Sequence, residues 1–267
     1  MAYDRDEFVR LLTDYYNFCN RVFWNATIAQ APAGGWPSIN QETLANLKRS
    51  DTVIDLLRHI PYLNYPENDL IHAPLIMANT PVTDYRREDI QKKIREGCIE
   101  GMAAPITGQD PAIPPSCAAI AVCRSRNGYH VILDTNDGYI YWGEPSGQHD
   151  EHAPGLNSTL EQLKGDEANK WRDGFNVYEP ADFFTLCKER YRELSWIGLG
   201  QWDMSVMRRN MSWEYESGPD SDPEDDFSHN KLARKMKKAG WPGDGEGRGW
   251  DRAKFERLVS QGNDEEE

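Results

Sequence analysis

Residues 117–142 read CAAIAVCRSRNGYHVILDTNDGYIYW, and the fold class follows from this stretch. Cys117-Ala118-Ala119-Ile120-Ala121-Val122-Cys123 is a short apolar run suited to a buried strand. Arg126-Asn127-Gly128 can turn the chain. Tyr129-His130-Val131-Ile132-Leu133-Asp134 is a second strand, and Gly138-Tyr139-Ile140-Tyr141-Trp142 a third. Between them, Asn136-Asp137-Gly138 supplies residues that accept positive φ, which a tight hairpin requires. The spacing predicts Gly138 or Asp137 in the left-handed region. Gly138→Val should then cost on the order of 1 kcal/mol or more; an unchanged melting point would count against the hairpin.

Helical patterns flank the meander. Residues 4–30 place Phe8, Leu11, Leu12, Tyr15, Cys19, Val22 and Phe23 on one face, and Asp4 with Glu7 has the form of a capping box. Residues 31–37 are rich in Pro and Gly and break the pattern. A short helix is predicted over 41–48, a second one over 51–59 behind Ser50 as N-cap, and a polar one over 86–100. Residues 62–80 read as extended chain. Residues 103–116 carry Pro105, Pro111, Pro114 and Pro115 and read as loop. A long polar loop is expected over 143–170. Pro180 then opens a helix to about Leu194 with Phe183, Phe184, Cys187 and Tyr191 on its apolar side. The class is therefore α+β: an antiparallel meander packed by helices, with an N-terminal helix and a C-terminal helical extension.

The 267 residues allow one large domain or one domain with extensions. We place an α+β domain over 1–202. For 203–267 we expect an acidic linker, short helices and a disordered tail. Residues 213–226 hold seven acids and no base, and residues 231–238 hold five bases. That segment is expected to be a mobile linker and a weakly docked helix that loosens with salt. The Gly-rich stretch 240–249 reads as a flexible connector, followed by an amphipathic helix over about 250–260.

Acids outnumber bases by 44 to 30, for a net charge of −14. This balance disfavours nucleic acid and anionic membrane as partners. The apolar runs are too short to span a bilayer, and the start, Met1-Ala2-Tyr3-Asp4-Arg5-Asp6-Glu7, has no leader character. The expected location is cytoplasmic or nuclear. Five scattered cysteines without a Cys-x-x-Cys pair point to reduced thiols. Asn25, Asn157 and Asn210 head glycosylation triplets that read as chance matches.

Candidate chemistry is sparse. His149-Asp150-Glu151-His152 packs four possible metal ligands into a segment expected to be a solvated loop, so neither a metal nor a cofactor is expected. No Gly-x-Ser-x-Gly elbow, phosphate loop or dinucleotide fingerprint occurs. A Ser–His–Asp or Cys–His arrangement stays open, because such partners meet only in space. The nine tryptophans read mainly as core anchors, with partner contacts as a second use. At the end of the third strand, Tyr141, Trp142 and Glu144 are the candidate binding residues.

The order of the central pieces resembles the SUKH superfamily, which includes the yeast glucan-synthesis regulator and many bacterial immunity proteins. The matching residues are Ile120-Ala121-Val122, Val131-Ile132-Leu133-Asp134, Asp137-Gly138-Tyr139-Ile140-Tyr141 and Pro180-Ala181-Asp182-Phe183-Phe184. They lie within a core of about 51–194. The early Gly-rich turn of the family is not evident. The resemblance implies an α+β module that binds protein partners and carries no catalytic constellation. The segment around Trp241-Pro242 is similar to an ending found in fungal proteins. A different reading is a fungal biosynthetic enzyme similar to the arginine-containing cyclodipeptide synthases. Those use two aminoacyl-tRNAs and are associated with Asp-Asp-x-x-Glu; here Asp225-Asp226 is followed by His229 at the glutamate position.

Overall fold

The computed structural model describes residues 2–64, 74–98, 113–123, 128–144, 149, 151–160, 167–200, 205–208 and 229–261. In chain order its first half holds α1 (Arg5–Val22), β1 (Thr27–Ala29), α2 (Asp51–His59), β2 (Tyr62–Asn64), β3 (Leu75–Met77), β4 (Thr80–Pro81) and α3 (Glu88–Arg95). The centre holds β5 (Cys117–Val122), β6 (His130–Asp134), β7 (Ile140–Gly143), α4 (Gly155–Leu160), β8 (Phe175–Tyr178) and α5 (Pro180–Arg192). β9 (Trp196–Leu199), β10 (Ser205–Arg208), α6 (His229–Lys238) and α7 (Arg252–Ser260) follow. The class is α+β.

The meander forms as expected and gains a strand, giving an antiparallel sheet in the order β5-β6-β7-β8. Val131 pairs with Trp142, and Ile132 with Tyr141. Because successive strand residues point to opposite faces, the two neighbours on each strand enter different cores. Ile120, Val131, Leu133, Ile140 and Trp142 join the main core with α1, α2 and α5. Cys117, Ile132, Tyr141, Phe175 and Val177 form a smaller core on the other face, closed by Ile113 and Trp171. Gly138 sits at φ +77°, the left-handed value that the hairpin required.

Local signals mark the helix starts, although the Glu7 carboxylate accepts from Arg10 rather than closing the capping box. The Asp4 side chain accepts from the Glu7 N–H, Ser50 accepts from the Val53 N–H, and Pro180 occupies the first turn of α5. α1 ends at Val22 rather than near residue 30, for a tertiary reason. The Arg252 guanidinium takes the carbonyls of Asn20, Phe23 and Trp24 at 3.2, 2.8 and 2.7 Å, and the chain beyond pairs as β1 with β2. In place of a helix over 41–48 there are turns and one 3-10 turn, Ala45–Leu47. The described part of 143–170 is not all loop, since it contains α4. β8, β9 and β10 were not anticipated. Arg49, 6% exposed, donates from Nη1 to the carbonyls of Ile113, Pro114 and Cys117 and so fixes the entry to β5.

The C-terminal segment corrects two expectations. α6 is not weakly docked: Leu232 and Met236 are buried, and with Trp241 and Phe255 they belong to the main core. The five bases of 231–238 occupy the other sides of that helix, and its apolar pair decides where it sits. Nor is the Gly-rich stretch a flexible connector. Gly240, Gly243, Gly245, Gly247 and Gly249 all hold positive φ, and a Cβ at Gly243 would lie 2.0 Å from the Arg248 carbonyl oxygen. This loop carries Glu246 to α1 and α5. Its carboxylate accepts from Arg192 at 2.5 Å and Lys188 at 2.9 Å, with Arg21 at 3.6 Å. The acid run 213–226 and the tail lie outside the described residues.

Candidate functional site

Three segments meet at one surface pocket. The start of α1 contributes Tyr3, Phe8 and Leu11; the β6–β7 hairpin contributes Leu133 and Gly138; the start of α5 contributes Pro180 and Ala181. Asp4 and Glu7 stand among the lining residues. The opening encloses about 420 Å³ of empty space, part of it open to solvent. Its cavity proper is about 100 Å³, below the roughly 300–1,000 Å³ usual for ligand pockets, and suits a single side chain. Its floor is rigid, because Phe8 and Leu133 belong to the core, while Ala181 is exposed at the mouth.

The hairpin lip is held by a polar network. The Gly138 N–H donates to the Asp134 carbonyl at 2.8 Å, and Asp134 Oδ1 accepts from the Asn136 N–H at 3.0 Å. Asp137 accepts from the Tyr139 N–H at 2.9 Å and from the Tyr141 hydroxyl at 2.7 Å. Arg172 donates to Asp134 at 2.7 Å while its guanidinium stacks over Trp171 and Tyr141. Burial raises the Asp137 carboxyl above its ordinary value, with the two hydrogen bonds pulling the other way. The network fixes the turn that carries Gly138.

The candidate binding residues share a strand end but not a surface. Tyr141 and Trp142 are fully buried on opposite faces of the sheet, and Glu144 is 8% exposed. Alternation along β7 separates them; the sequence signal was aromatic content, which here serves two cores. The reading of 149–152 as a solvated loop holds for His152 but not for His149 and Glu151, which are half-buried, while Asp150 lies outside the described residues. The His149 ring lies 4.4 Å from Trp142 and 5.4 Å from Tyr129. Glu151 takes both Nε and Nη2 of Arg190 at 2.5 Å. His152 is exposed. Among the described residues no three His, Cys, Asp or Glu side chains come together to hold a metal ion. Asn157, head of one glycosylation triplet, covers the edge of β8 by accepting from Val177 N–H and donating to the Phe175 carbonyl.

One Cys–His pair does form: Cys123 Sγ lies 3.2 Å from His130 Nδ1. Burial pushes the His130 imidazole down to about 4. Near neutral pH it is uncharged and supplies no imidazolium to stabilise a thiolate. The pair has a consequence for stability instead. The unfolded chain takes up this proton near pH 6.5 and the folded chain near pH 4, so stability falls as pH falls through that window. The full shift corresponds to about 3 kcal/mol. Asp137 works in the opposite sense, since its raised value favours the folded state on protonation. Comparing urea midpoints of the parent and a His130→Gln chain between pH 7 and 4 isolates the histidine. The parent should lose more stability over that range, and parallel curves would refute the assignment.

No helix among the described residues is long and apolar enough to cross a membrane. Asp225 and Asp226 lie outside the described residues. Searches for similar proteins found no matching family model, no matching curated protein and no matching solved structure.

Proposed function

We propose that this chain is a non-catalytic protein-binding or regulatory module of SUKH-like type, with the pocket between α1, the β6–β7 hairpin and α5 as its contact site. One observation carries the reading. The two motif pieces behind the resemblance, the Leu133–Gly138 hairpin and the Pro180–Ala181 helix start, line a single pocket although more than 40 residues separate them. Supporting it, Asp134, at the foot of the hairpin that carries Gly138, is spent on Arg172, which fixes that lip of the pocket.

The test is a selection from a displayed library of random 12-residue peptides against the folded chain. Peptides that bind the parent and lose binding to Ala181→Trp, which fills the mouth, support the module. Failure to enrich any peptide sensitive to that change overturns it. A new arginine-containing diketopiperazine in the medium of expressing bacteria would replace it with the tRNA-dependent synthase.

A further inference from the structure

The pocket has a charge character that narrows its partner. The two helix starts that frame it, residues 2–11 and 179–182, carry Asp4, Asp6, Glu7, Glu179 and Asp182 against Arg5 and Arg10. Arg10 is already bound to Glu7 at 2.6 and 2.8 Å, and Arg5 to Asp6 and Asp55. Asp4 caps α1 through one oxygen and Asp182 is exposed in the first turn of α5. Each helix N-terminus offers only about half a positive charge, so the frame stays negative after both are counted. Within it the lining is apolar: Tyr3, Phe8, Leu11, Leu133 and Pro180.

Resting on the binding-module reading, we infer that the pocket takes a polypeptide segment in which an aliphatic or aromatic side chain is flanked by lysine or arginine. The apolar side chain fills the cleft, removing it and the lining from water, and the neighbouring cation faces Asp4 and Asp182. The chain's net charge of −14 acts in the same direction at longer range, drawing basic segments in and repelling acidic ones. An apolar anchor in a small cleft with a charged rim is the usual division between affinity and selectivity at such contacts.

The experiment reads the composition of the selected peptides, then their affinity by fluorescence anisotropy. Asp4→Asn/Asp182→Asn removes both charges and keeps the α1 cap, because asparagine caps as well as aspartate. Expected are peptides with a Leu, Ile, Phe or Trp anchor and a base within two positions. Binding should be lost in Ala181→Trp and in Ala181→Arg. It should weaken roughly threefold to tenfold in the Asn/Asn chain, as for two exposed ion pairs, and by a similar factor between 0.05 and 0.5 M salt. Pocket-dependent peptides without bases, bound equally by the Asn/Asn chain, would overturn this partner chemistry and leave the binding module standing. Absence of any peptide sensitive to Ala181 substitution would overturn both. Melting curves for each variant separate lost binding from lost folding.

Discussion

A Met236→Ala chain is expected to lose about 2–5 kcal/mol of stability, the range for truncating a fully buried long side chain. Met236 has no exposed surface and Leu232 only 1%, one helical turn earlier. For a chain of this size the melting point should fall on the order of 10 °C. The loss should barely change between 0.05 and 0.5 M salt, since apolar burial rather than ion pairing holds α6. A loss below about 1 kcal/mol, or one that appears only at high salt, would return α6 to the status of a loosely held helix.

Gly198→Val should be damaging for the opposite reason, too little room. A Cβ at this position in β9 would lie 2.2 Å from the Phe23 ring. That ring is 1% exposed and packed 5.6 Å from Tyr191 and 6.0 Å from Trp24, so it has nowhere to retreat. Overpacking of this kind costs about 1–3 kcal/mol and occasionally more, and so close a contact puts this site at the upper end. Soluble yield and near-ultraviolet circular dichroism would report it, with Gly198→Ala as the milder companion. A valine chain that melts with the parent would show that Phe23 does not rest on β9.

The meander and its turn were legible because period-two apolar runs and Asn136-Asp137-Gly138 are local signals. So were the starts of α1, α2 and α5, where a cap or Pro180 marks the first turn. What lay beyond reach was set by distant residues. The end of α1 depends on Arg252, and β8 exists because β7 offers it an edge. α6 looked solvated because its bases dominate the composition, while two side chains determine its place. The pocket was hidden for the same reason: Tyr3, Leu133 and Ala181 carry no shared pattern until the fold brings them together.

The contact between Arg252 and the carbonyls of Asn20, Phe23 and Trp24, at and just past the end of α1, spans 228 to 232 positions of sequence. During synthesis, at about 5–20 residues per second, α1 leaves the ribosome tens of seconds before its terminating guanidinium exists. For much of that interval Phe18 and Phe23 lack the later-made aromatic neighbours that cover them, first Tyr191 and then, for Phe18, Trp241. The nascent chain is thus expected to depend on chaperones that hold apolar segments. Chains stopped before Gly240 would keep Tyr191 but lack both Trp241 and Arg252, and are expected to be less soluble and more readily cleared by proteases than the full chain.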